Sequence, residues 1–143
     1  MKPLFCLVAS ILALTSLGAA AHAENWNCQY QGSWTTNSTG NTGEFNWSVL
    51  WTATGGGWRM QGEYDDRYGH SILDGKCSTS ECTFRQTYRS GQLAGKVYYW
   101  QGNYSDDHTR PGETVNRFTG TWGYSPDARD GGPWDAVAMC RVK

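Results

Sequence analysis

Phe118, Gly120, Trp122 and Tyr124 share one face of an extended segment, and Arg117, Thr119 and Thr121 share the other. A period of two marks a half-buried strand, because successive side chains of an extended backbone point to opposite sides. After a polar turn the chain runs Trp134-Asp135-Ala136-Val137-Ala138-Met139-Cys140, the second arm of a hairpin. The same alternation governs the opposite end, where Trp26, Cys28, Tyr30, Gly32 and Trp34 oppose Asn27, Gln29, Gln31 and Ser33. Cys140 needs a partner, and Cys28 is the candidate. A sheet whose first and last strands are joined is a barrel.

Turn-rich stretches divide the chain into eight such segments. Glu44 to Thr52 puts Phe45, Trp47, Val49 and Trp51 on one face, and Trp58 to Asp65 does the same with Trp58, Met60, Gly62 and Tyr64. In His70 to Cys77, Ile72 and Leu73 compete for the inside. Cys82 to Arg89 offers Phe84 and Tyr88, and Lys96 to Tyr104 offers Tyr98, Trp100, Gly102 and Tyr104. No ten-residue stretch has helical periodicity, and the connections are short and rich in Gly, Asn, Asp, Ser and Pro, as antiparallel neighbours require. The chain is therefore all-β, and an eight-stranded antiparallel up-and-down β-barrel is the simplest topology, since closure removes both exposed edges. Parity then sorts the loops: 35–43, 66–69, 90–94 and 125–133 at a first rim, and 54–57, 78–81 and 105–113 at a second. A membrane-embedded barrel is disfavoured, because its strands need about 9 to 11 lipid-spanning residues and several segments here are shorter. No membrane insertion is expected.

Residues 1–23 read as a signal peptide: Lys2 precedes an apolar run from Leu4 to Leu17, and Ala21-His22-Ala23 supplies a small-x-small cleavage pattern. Cleavage near Ala23 leaves residues 24–143 as one domain, periplasmic or secreted. Of the 5 cysteines, Cys6 leaves with the leader, so an even set remains: Cys28, Cys77, Cys82 and Cys140. An even set in an exported chain reads as disulfides, with three possible connectivities. Ser78 to Glu81 makes a natural hairpin tip, which favours Cys77 with Cys82 and leaves Cys28 with Cys140. A zinc site would want paired short spacings such as C-x-x-C, which are absent.

The formal net charge of −1 becomes −2 once Lys2 is removed, and neither sign forms a run. Nucleic acid as a partner is disfavoured, since phosphate affinity depends on clustered Lys and Arg. Catalysis has little to work with: His70 and His108 follow acidic residues and read as solvated turn residues, and no acid, base and nucleophile constellation is visible. Asp127 to Asp130 with Gly131-Gly132 reads as a turn rather than a calcium ladder. No cofactor or metal is expected. The recurrent Gly-x-aromatic pattern at Gly32, Gly62, Gly102 and Gly120 makes room for neighbouring rings and lets strands coil. The unusual feature is the aromatic load, 8 Trp and 8 Tyr. A barrel of eight strands is just wide enough either to be filled by such rings or to hold one small ligand among them. The first rim carries Asn37, Asn41, Asp66, Arg67, Asp127, Arg129 and Asp130, which places a mouth there.

These residues resemble, in order, the avidin and streptavidin family of biotin-binding barrels. Gly32-Ser33-Trp34 is similar to the Gly-x-Trp of that family's first strand, and Gly62-Glu63-Tyr64-Asp65 to its third-strand Gly-x-Tyr-Asp. Trp100-Gln101-Gly102-Asn103-Tyr104 is similar to the sixth-strand Trp-x-Gly-x-Tyr, and Trp122 and Trp134 stand at the spacing of its last two binding tryptophans. The resemblance implies a homo-oligomer with Trp100, Trp122 and Trp134 as ligand walls, Trp134 reaching into a neighbouring subunit. It adds Trp34, Tyr64 and Asn37 to the ligand-binding set. The departures fall on polar positions: Thr36 stands where an Asn is usual with Asn37 displaced by one, and Val142 replaces an Asp. The second strand lacks Gly-x-Tyr, and Phe84 stands where a further Trp is common.

The expectation is an exported barrel that binds a small molecule, biotin or a related compound. The alternative is a lectin-like module or an inhibitor of a secreted enzyme acting through rim residues such as Asp66, Arg67, Arg129 and Asp130. An enzyme is disfavoured.

Overall fold

The computed structural model describes residues 24–143; the signal-peptide reading of residues 1–23 lies outside the described residues. Eight strands follow one another: β1 (Trp26–Thr35), β2 (Thr42–Thr54), β3 (Gly57–Asp66), β4 (Gly69–Cys77), β5 (Glu81–Tyr88), β6 (Val97–Arg110), β7 (Glu113–Gly123) and β8 (Gly132–Val142). Each pairs antiparallel with its sequence neighbours, and β8 returns to β1, so the sheet is a closed barrel in chain order. The topology is the one that alternation and short turns dictate.

Closure is covalent as well as hydrogen-bonded. Cys28 and Cys140 face each other in the β1–β8 register and form a disulfide, and Cys77 and Cys82 do the same across β4 and β5. All four cysteine side chains are buried inside the barrel. Cys77 also settles the competition in β4: with Cys77 inward, Gly75, Leu73 and Ser71 follow by parity, and Leu73 is fully buried while Ile72 is not.

One stretch differs from the sequence reading. Residues 105–113 are not a loop, because β6 continues to Arg110 and pairs with β7 down to Glu113 around a turn at Pro111-Gly112, with a register shift between Asp106 and His108. The last ladder pair of β5 with β6 is Glu81 with Asn103, so this extension of β6 lies beyond that ladder. Its side chains at 105–107 and 109–110 are solvated or paired at the surface, so no apolar alternation announces the strand. His70, likewise, is not in a turn but opens β4 opposite Asp65.

The interior divides into two levels. Toward the second rim it is solid. Tyr30, Trp51, Tyr104 and Phe118 interlock, with the Tyr104 and Phe118 rings stacked at 5.1 Å, and the Trp51 indole N–H donates to the Tyr30 hydroxyl at 2.9 Å. Above them Phe45, Trp47, Phe84, Trp100 and Trp134 form an aromatic layer, Phe45 stacked on Trp47 at 3.9 Å and Trp47 edge-on to Trp100 at 5.2 Å. Ring pairs in these geometries add to the burial energy of the rings themselves. Toward the first rim the barrel is open.

Candidate functional site

The open half is a cavity of about 1030 Å³. Its floor is the upper surface of Phe45, Trp47 and Trp100; its walls are Trp34 and Trp122 on one side and Tyr64, Tyr88 and Tyr98 on another. Glu44, Asp66, Arg67, Tyr68 and Tyr124 stand around the mouth.

Glycines on the facing strand set the ring directions. Trp34 pairs with Gly43, and a Cβ at Gly43 would lie 2.4 Å from the Trp34 ring, so the indole lies flat over a position with no side chain. Phe45 lies over Gly32 in the same way, at 2.4 Å. Trp122 meets Trp34 edge-to-face at 5.9 Å, and its N–H donates to the Thr35 carbonyl at 3.0 Å. A ring seated over a cross-strand glycine is held without a clash, which is how coiled strands keep large rings in register.

A polar line crosses this aromatic wall. The Gln86 amide nitrogen donates to Ser71 Oγ at 2.9 Å and to the Tyr88 hydroxyl at 3.4 Å; Tyr88 in turn donates to Asp66 Oδ2 at 2.5 Å. Asp66 Oδ1 accepts from the backbone N–H groups of Tyr68 and Gly69 at 2.7 and 3.2 Å, so the carboxylate is anchored in its own turn. Burial, and then the hydrogen bond to Asp66 and its charge, raise the Tyr88 phenol well above its ordinary range. Burial, then the Asp66 charge, raises Tyr64, and burial, then Tyr124, raises Tyr98. These phenols are neutral donors at any physiological pH. Arg67 lies over the Tyr68 ring at 4.7 Å, a cation on an aromatic face.

Of the residues nominated from sequence, Trp34, Tyr64, Trp100 and Trp122 come together around this cavity. Trp134 does not join them. Gly102, Gly120 and Trp134 are aligned across β6, β7 and β8, and the two glycines clear a path along which the indole lies down, a Cβ at Gly102 falling 2.4 Å from its ring. Its N–H reaches the Gln101 carbonyl at 2.9 Å, and the side chain is buried in its own barrel beneath the cavity floor. It therefore does not extend toward a neighbouring subunit, as the resemblance implied. Asn37 also lies outside the cavity. Its backbone N–H donates to the Gly131 carbonyl at 2.7 Å and its side-chain amide to the Asp130 carbonyl at 3.3 Å, so it ties two rim loops together.

Sequence reasoning passed over Gln86. It is a polar residue at an inward position between Phe84 and Tyr88, and that break in the apolar face was the available signal. His70 lies outside the cavity, on the outer face of β3 and β4, with Nδ1 2.8 Å from Asp65 and Nε2 3.9 Å from Glu63. Among the described residues no group of His, Cys, Asp and Glu is arranged to hold a metal.

No family model matches the chain, and no curated protein matches it. Among solved structures, the crystal structure of the ywiB protein from Bacillus subtilis is similar at 7% identity and a TM-score of 0.47, over 84% of this chain and 92% of that one.

Proposed function

We propose that this protein is an exported, avidin-like barrel that holds a small organic molecule in its first-rim cavity, biotin or a compound of similar size. The observation that carries the reading is the division of the interior: one half is filled by rings and two disulfides, and the other is an aromatic cup of about 1030 Å³. A cup of that volume, walled by aromatic rings and set with fixed polar groups, has the character of a ligand site. Trp34, Trp100, Trp122 and Tyr64 grip the apolar body of the ligand. Thr36 and Thr42, which also line the cup, offer hydroxyls near its upper wall. The two disulfides support an oxidising compartment, periplasmic or extracellular.

The test is a titration of the oxidised protein, residues 24–143, with biotin, read by tryptophan emission and by melting temperature. A ligand that binds only the folded state raises the melting temperature by mass action. A shift in both signals makes biotin the ligand. Neither signal moving at high biotin concentration removes biotin and sends the search to other compounds that fit the cup.

A further inference from the structure

Gln86 is 4% exposed, and its amide is oriented by groups that leave it no choice. Ser71 Oγ lies 3.2 Å from the Tyr64 carbonyl, which can only accept, so the serine hydrogen goes there and its oxygen is left to accept. Tyr88 gives its hydrogen to the Asp66 carboxylate, so its oxygen is also left to accept. Both neighbours of Gln86 are thus acceptors, and the amide must present both of its N–H bonds to them. The carbonyl oxygen Oε1 remains without a partner in the chain. Trp47 Nε1, Trp100 Nε1 and Asn116 Oδ1 are also partnerless but are sealed in the core, whereas Gln86 lines the cavity and its Oε1 is not among those sealed atoms.

We propose that Gln86 Oε1 is the hydrogen-bond acceptor of the ligand site, and that the cavity takes a planar, largely apolar molecule bearing a hydrogen-bond donor such as a lactam N–H. The inference rests on the cavity being a ligand site. The aromatic surfaces of Trp34, Trp122 and Tyr98 suit a flat body, and a carbonyl that opens on the cavity with no partner from the chain favours a ligand that donates to it. A carboxylate delivered to the same place offers only acceptors and faces the Asp66 charge behind Tyr88. A site built around one hydrogen bond rejects the isostere that lacks it more strongly than an apolar pocket rejects a missing methylene.

Isoindolin-1-one and 1-indanone differ by one ring N–H replaced by CH₂, so they share a shape and differ in the donor. Calorimetric titration of each into the oxidised protein should give isoindolin-1-one at least about tenfold tighter, although it is the more strongly hydrated of the two. In Gln86→Met, which keeps the side chain's length but has no acceptor, that gap should collapse. Equal affinities, or tighter binding of 1-indanone, would overturn the Gln86 assignment and leave the cavity a ligand site. A gap that persists in Gln86→Met would overturn the assignment as well. Binding of neither compound would overturn the assignment of a planar, donor-bearing ligand to Gln86, and the biotin titration would then decide separately whether the cavity is a ligand site. The comparison on unmutated protein stands alone if the variant does not fold.

Discussion

The indole N–H of Trp122 donates a 3.0 Å hydrogen bond to the carbonyl of Thr35, joining β7 to the last residue of β1 along the rim of the cavity. β8 lies between those two strands in the sheet. One side chain is therefore both a wall of the cup and a strut along its rim.

Trp122→Ala should remove both roles. Emptying a buried Trp site costs about 3 to 5 kcal/mol, and binding in the cup should be lost. Two disulfides should still keep the barrel folded at room temperature, as circular dichroism would show. Trp122→Phe keeps a ring and drops the N–H; it should cost about 1 kcal/mol and retain most of the binding. Equal loss of affinity in the two variants would mean that the strut matters more than the wall.

Gly43→Ala should act on Trp34 without touching it chemically. The new methyl would occupy the space of the indole ring, so either the ring swings into the cup or the strand shifts. Overpacking of this kind costs about 1 to 3 kcal/mol. A lower melting temperature together with weaker binding is the expected pair of results, and a crystal structure of the variant would show the displaced ring.

The two disulfides should differ in worth. Cys28–Cys140 spans a sequence separation of 112 and Cys77–Cys82 one of 5. On the chain-entropy account the first contributes about 4 to 5 kcal/mol and the second about 2 kcal/mol. Paired Cys→Ala variants, unfolded in urea, would measure the difference. A larger loss from the Cys77, Cys82 pair would show that packing of the sulfurs outweighs loop closure.

Alkaline pH should weaken the fold. Burial is the leading cause that raises the phenols of Tyr30, Tyr64, Tyr88, Tyr98 and Tyr104 above the ordinary phenol value of about 10. A raised folded-state value means that the folded protein holds protons that the unfolded chain releases. The stabilisation is therefore complete below pH 10 and lost as pH climbs above it. Absorbance of these phenolates should emerge together with unfolding, rather than ahead of it, in a pH titration.

Much of the barrel was legible because each strand has one wet and one dry face, and a one-residue slip would turn every ring outward. The pairing of Cys28 with Cys140 followed from the hairpin tip that joins Cys77 to Cys82, whereas the choice between Ile72 and Leu73 stayed open in the sequence and is fixed only by the inward Cys77. Ring direction was harder to read. Whether Trp134 lines the cup or lies under its floor depends on Gly102 and Gly120 coming level with it, and that alignment is a property of register across three strands. The polar arm from Ser105 to Arg110 escaped notice for the opposite reason: the side chains at 105–107 and 109–110 are exposed, so alternation carries no signal there.

The bond between Cys28 and Cys140 also governs how copies of this chain can meet. Exchanging a terminal strand between two molecules requires β1 or β8 to leave its own barrel, and while the sulfurs are joined neither can depart alone. Oxidised molecules can therefore associate only as intact units, side chain against side chain. Reduction frees the seam, and with it the domain-swapped dimers that exchange of β1 or β8 would build.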